Sequence, residues 1–181
     1  EIGTEKMSVI FKADIKRKLK EIGLESGDNV IVHTSLKSMG YVCGGAQAVI
    51  EALIETVAEN GTIMMPTQSW KNLDPETGVH GEVDEKDWPL IRENWPAYDK
   101  KMTPTNTMGA VAEMFRQWPG SVRSDHPARS ICAWGKGGST NDLVVFPGVP
   151  AALRVGCAGH HAVHEKRPAG GFDDYSPVRP D

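Results

Sequence analysis

The chain has 181 residues, 39% of them hydrophobic and 24% charged, with a formal net charge of −4. That length and balance describe one globular domain with a core of its own. They speak against nucleic acid as a partner, and no apolar run is long enough to span a membrane. The three cysteines, Cys43, Cys132 and Cys157, are scattered. They offer neither a disulfide framework nor a CxxC pair and suit a reducing cytoplasm.

In chain order, residues 7–22 place Ile10, Ala13, Leu19 and Ile22 among lysines and acids. This predicts a helix that Gly23 stops, and its charge excludes a signal peptide. After the turn "SGD", the run "NVIVHT" (29–34) reads as a buried strand. Residues 46–58 put Val49, Ile50, Leu53, Ile54 and Val57 on one face of a helix that Asn60-Gly61 ends. "TIMMPT" (62–67) is a second apolar strand, so the three form a βαβ unit with parallel strands. Residues 68–104 show no clean period, yet hold three of the five tryptophans (Trp70, Trp88, Trp95) and Tyr98. A stretch this long without periodicity inside a compact domain is usually functional or mobile. "MGAVAEMFRQW" (108–118) is helical, with Thr107 as its expected cap, and "SICAWG" (130–135) is a short strand. From 136 onward glycine, proline and histidine accumulate, and apolar residues cluster only in "LVVFPGVPAAL". The expected organisation is therefore a core of residues 1–135 followed by an atypical, loop-rich segment 136–181.

Several groupings could carry chemistry. Between the strand at 29–34 and the helix after Gly45 lie His33, Thr34, Ser35, Lys37 and the pair Gly44-Gly45. Unpaired N–H groups at a helix start attract anions, and glycines allow close approach. No GK[ST] or GxGxxG follows, so an ordinary strand-to-helix connection is the competing reading. The loop 74–93 carries seven acids (Asp74, Glu76, Glu82, Asp84, Glu85, Asp87, Glu93) against Lys86 and Arg92. Beside Trp and Tyr these suit a polycationic, sugar-like ligand, while a solvated acidic loop is the plain alternative. His126, fixed by the following Pro127, is a general-base candidate or a structural histidine. Glu113 lies on the 108–118 helix among apolar neighbours and needs a partner if it faces inward. "HHAVHE" places His160 and His164 at metal-sharing spacing, but HExxH is absent and no metal site is expected.

Three blocks, "VIVHTSLKSMGYVCGGAQAVIEAL", "GTIMMPTQSW" and "YDKKMTPTNTMGAVAEMFRQWPGSVRSDHPARSICAWG", together resemble the aminoglycoside 3-N-acetyltransferases over roughly residues 8–135. The resemblance implies an α/β sandwich with a mostly parallel central sheet flanked by helices. It implies acetyl-CoA as donor, and the 3-amino group of a 2-deoxystreptamine aminoglycoside as acceptor, by direct transfer without an acyl-enzyme. Carried over, His33, Thr34, Ser35, Leu36, Lys37, Gly44, Gly45, Thr105, Asn106 and Met108 line the coenzyme. Trp70, Asp74, Tyr98 and Asp99 face the antibiotic, and Glu113, His126 and His164 are the catalytic candidates. A homo-oligomer stays open. Family members carry a Thr-Ser-Leu-His-Leu-Ala-Glu-like segment that supplies the histidine base, and this chain departs from them there. A truncated or frame-shifted tail is the expectation. A coenzyme-binding remnant without turnover and a metal-binding protein using His160, His161 and His164 are the rival readings.

Overall fold

A computed structural model describes residues 8–139 of the chain. In order, the elements are β1 (Val9–Ile10), α1 (Lys12–Glu21), β2 (Asn29–Ile31), α2 (Leu36–Met39), β3 (Tyr41–Val42), α3 (Gly45–Val57) and β4 (Thr62–Pro66). Then come α4 (Trp88–Asn94), α5 (Gly109–Arg116), β5 (Val122–Arg123) and β6 (Ile131–Gly135). The class is α/β, as expected. One sheet runs β2-β4-β6-β5, and β1 pairs with β3 in a second, two-stranded ribbon.

The strand β4 is central and apolar, and Thr62, Ile63, Met64 and Met65 are all buried. On one side it takes β2 in parallel, with Asn29 opposite Thr62 and Ile31 opposite Met64. On the other it takes β6 antiparallel, with Thr62 opposite Gly135 and Pro66 opposite Ile131. The parallel pairing of β2 and β4 is the one the βαβ pattern predicted, whereas the mostly parallel sheet implied by the resemblance is in fact mixed. The connection 124–130 between β5 and β6 is too short for a parallel crossover, so those two pair antiparallel.

The core lies between the sheet and α3. Ala46, Val49, Ile50, Leu53 and Val57 recur at helical spacing and are buried. Ile63 and Met65 of β4, Cys132 of β6, and Val111 and Phe115 of α5 belong to the same cluster. The outer face of α3 carries Glu51 and Glu55, which bind Lys12 and Lys16 of α1 at 2.6–2.8 Å. The helix expected from residue 7 begins only at Lys12, because Val9 and Ile10 pair as a strand with Tyr41 and Val42. Its start is closed by the Asp14 carboxylate, which accepts the Phe11 N–H at 3.0 Å.

The aperiodic stretch folds as an excursion built of short 3₁₀ turns and α4. Arg92 of α4 donates to both Asp74 oxygens at 2.8 and 2.9 Å and to Glu76 at 2.8 Å. The Trp95 indole donates to Asn72 Oδ1 at 2.9 Å, and the Asn72 amide donates to the Pro127 carbonyl at 3.1 Å. Both ends of the excursion meet at a neck. Ser69 Oγ donates to the Pro104 carbonyl at 2.9 Å, the Asn106 N–H donates to the Gln68 carbonyl at 2.8 Å, and the Lys71 N–H donates to Asn106 Oδ1 at 3.1 Å.

Candidate active site

The parallel strands β2 and β4 end on the same side, and open α/β sheets bind ligands outside the carboxyl ends of their strands. Three segments converge there. The first is the exit from β2, where Val32 still donates its N–H to the Met64 carbonyl at 2.8 Å. His33 and Ser35 beyond it are exposed and Thr34 half-buried. Ser35 caps α2, its Oγ lying 2.8 Å from Ser38 Oγ and accepting the Ser38 N–H at 3.4 Å. Leu36 packs against the core, whereas Lys37 points to solvent. The second segment is the exit from β4 at Gln68 and Ser69. The third is Pro104–Met108, tied to Gln68 by the Asn106 bond above. A side-chain carbon at Gly109 would come within 4.0 Å of the Thr34 carbonyl, so the first and third segments abut.

Thr107 was expected to cap α5. It sits instead in the left-handed region at φ 60°, and its hydroxyl donates to the Asn106 carbonyl at 2.7 Å. Met108 takes the cap position. A β-branched residue there stores about 1–3 kcal/mol of strain, and such residues gather at binding and catalytic sites. Asn106 uses its side-chain oxygen on Lys71, which leaves its Nδ2 donor without an acceptor among the described residues. Gly44 and Gly45 open α3 at φ 85° and 55°, a conformation that favours glycine at both positions. They follow β3, which α2 touches on the way from β2.

Glu113 on α5 is an organiser of this rim. Its Oε2 accepts the Thr105 N–H at 2.8 Å, and its Oε1 accepts bonds from the Arg116 guanidinium and, at 2.9 Å, from Gln117. Partial burial works to raise its carboxyl, but the Arg116 and Thr105 bonds outweigh that and hold it below the usual carboxylate range. Arg116 in turn donates to the Lys101 carbonyl at 2.6 Å.

His126 is buried, and its Nδ1 accepts the N–H groups of Ala128 at 3.2 Å and Arg129 at 2.9 Å. With Nδ1 engaged in this way, the neutral ring carries its proton on Nε2. His164, along with His160 and His161, lies outside the described residues. Cys132 is buried, and burial pushes its thiol up to about 12, so it stays protonated and unreactive.

The residues expected to face a polycation are spread along the excursion. Trp70 is half-buried, with the exposed Arg129 guanidinium 5.7 Å from its ring centre. Asp74 is committed to Arg92, Glu82 to Lys71, and Asp84 to Lys86. Asp99 closes its own turn, accepting the N–H groups of Lys101 and Met102 at 2.7 and 2.8 Å. Glu85, Asp87 and Glu93 have no ion pair among the described residues. Tyr98 donates to the Ser124 carbonyl at 2.9 Å, and burial raises its hydroxyl above the ordinary range.

Sequence reasoning passed over Arg123, which is only 4% exposed. Its signal was a lone charge inside a short strand, legible only once its partners had been placed. His80, also buried, was missed in the same way. Its Nε2 lies 2.9 Å from the Lys71 carbonyl and its ring meets Trp95 edge to face.

Residues 31–140 match the family described as aminoglycoside 3-N-acetyltransferase. The SPbeta prophage-derived aminoglycoside N(3')-acetyltransferase-like protein YokD of Bacillus subtilis is 49% identical over 126 residues, 69% of this chain and 46% of YokD. The YokD crystal structure superposes with a TM-score of 0.70, covering 75% of this chain and 53% of that one. The sisomicin-bound AAC-VIa structure gives a TM-score of 0.63 at 32% identity, covering 77% and 50%. The AAC-IIIb binary complex with CoASH gives 0.60 at 25% identity, covering 76% and 49%. The chain spans a little under half the length of the curated relatives it matches. Since the matched span takes in the β2 exit, the neck and the Thr105–Met108 rim together, the chain belongs to the aminoglycoside 3-N-acetyltransferase family.

Proposed function

We propose that the protein transfers the acetyl group of acetyl-CoA to the 3-amino group of a 2-deoxystreptamine aminoglycoside, in the cytoplasm. The observation that carries this reading is the convergence of the Thr34–Ser35 loop, the β4 exit and the strained Thr105–Met108 segment at the carboxyl ends of β2 and β4. These residues fit a phosphate- and amide-bearing coenzyme. They offer hydroxyls at Thr34 and Ser35, a cation at Lys37 and the unused Asn106 Nδ2. The bound coenzyme supplies an activated thioester carbonyl.

The new bond joins the antibiotic nitrogen to the acetyl carbon, the carbon–sulfur bond breaks, and the thiolate takes up a proton. An ammonium group has no lone pair for this attack, so the amine must first give up a proton to a base. In this reading Glu113 keeps the Thr105 amide in place, and His126 steadies the turn at 126–129 through its two accepted bonds. His164 takes the proton. The excursion, with Trp70, Tyr98 and the acids around Asp74, forms the wall toward the polycationic substrate.

A coupled assay that reads free CoA thiol tests the whole reading. Thiol should appear only when acetyl-CoA and a 2-deoxystreptamine aminoglycoside are both present. Heat of CoA binding without thiol release, across a panel of such antibiotics, overturns the transfer. His164→Ala should lower kcat by about 10²–10⁴ with an unchanged Tm, whereas His126→Ala should show its main effect as a lowered Tm. The reverse pattern moves the proton acceptor to His126.

A further inference from the structure

Arg123 sits in β5, buried beneath the rim that carries Thr105 and Asn106. A guanidinium has five N–H donors in a fixed fork, and here all five are engaged. Nε donates to Ser130 Oγ at 2.9 Å. One terminal nitrogen donates to the carbonyls of Thr103 (2.5 Å) and Lys100 (3.5 Å). The other donates to the Thr67 carbonyl (2.5 Å) and Ser69 Oγ (2.6 Å). The Tyr98 ring covers the group at 5.3 Å. No carboxylate is among these partners, which is unusual for a buried cation. Desolvation accordingly depresses its basicity.

A charge placed in this way is costly, and an apolar residue would fill the space more cheaply. What the guanidinium does that an apolar residue cannot is join three separate pieces of chain. They are the last turn of the excursion (Lys100 and Thr103), the end of β4 (Thr67 and Ser69) and the start of β6 (Ser130). Ser69 passes the connection on through its own bond to the Pro104 carbonyl, one residue before Thr105.

We infer that Arg123 is a positioning residue for the proposed transfer, fixing the Thr105–Asn106 rim against the β4 exit so that the coenzyme meets a preformed wall. This rests on the functional reading above. Lysine at this position keeps the charge but has three donors on a flexible stem and cannot reproduce the fork.

The test compares wild-type full chain with Arg123→Lys and with the milder Ser130→Ala, which removes one acceptor and leaves the fork. Amide hydrogen exchange is followed at Thr105 and Asn106 on the rim and at Ile63 and Met64 in β4. CoA affinity is measured in parallel by titration calorimetry, well below each variant's Tm. Arg123→Lys should weaken CoA binding about tenfold or more. It should also speed exchange at Thr105 and Asn106 by about tenfold while leaving β4 protected. Ser130→Ala should shift both readouts in the same direction by less. If Arg123→Lys does not fold, Ser130→Ala carries the comparison.

Equal loss of protection at rim and sheet, or unchanged rim exchange at a lowered Tm, would show a purely structural arginine and overturn the inference. If the wild-type chain does not bind CoA, the functional reading fails. The exchange measurements still decide whether Arg123 holds the rim.

Discussion

Asp74 and Arg92 show how a residue's chemistry is settled by a neighbour distant in sequence. The Arg92 bonds pull the Asp74 carboxyl below the ordinary carboxylate range, the Glu76 N–H adds to this, and partial burial opposes it. Because the folded value lies below the unfolded one, the pair's contribution is complete above the ordinary carboxylate value of roughly 3.9 and is lost as pH falls through the depressed folded value. Asp74→Asn should therefore cost about 1–2 kcal/mol near neutral pH, and the gap to wild type should close as the medium is acidified below about pH 4. Urea unfolding midpoints measured across that range check it, and a gap that is constant with pH contradicts it. Sequence reading placed Asp74 in a pocket for a cationic ligand because the acids of 74–93 outnumber the bases. It had no means of seeing that Arg92, eighteen residues on, folds back onto it. Glu113 was legible as a carboxylate that must be paired, and its partners Arg116 and Thr105 lie within eight residues.

Among the elements, α3 and β4 were readable to within a residue or two, because an amphipathic pattern sustained over thirteen residues and a continuous apolar run leave few alternatives. The two-residue strands β1 and β3 carry no period at all and exist only through each other. The helix α4 is too short for its pattern to show and depends on Pro89 in its first turn and on the Arg92 pairs. The mixed sheet was equally hidden, since strand direction is decided by connection length and not by composition. The junction at which β6 leaves the sheet is a tightly specified point of this frame. Gly135 has φ 92°, and a side-chain carbon there would lie 2.3 Å from the Gly61 carbonyl oxygen. Gly78 has a similar φ of 82° with open space around it. Gly78→Ala should cost about 1 kcal/mol from backbone strain alone. Gly135→Ala should cost about 3 kcal/mol or more, because backbone must also move. Denaturant titration of both variants separates strain from collision. Equal losses would mean that the β4–β6 edge yields easily.

At the scale of the molecule, the sheet and its helices make a frame, and the two ends of the segment between Trp70 and Thr103 meet at a gate, with further ties from Asn72 to Pro127 and from Tyr98 to Ser124. Ser69 and Gln68 stand on one post, Pro104 and Asn106 on the other, joined by hydrogen bonds of 2.8–3.1 Å. Bringing together the ends of a loop of twice the length costs only about 0.6 kcal/mol more. Replacing residues 76–94 by the corresponding stretch of YokD should therefore leave the thermal transition within a few degrees of the parent. Circular dichroism on heating measures this, and collapse of the transition would show that the frame needs the loop. The gate thus divides the sequence into two texts that can be revised at different speeds. Under the proposed function, mutations in the outer one would redraw which aminoglycoside is admitted, while the inner one, including Arg123 beneath the posts, would keep its grip on the coenzyme.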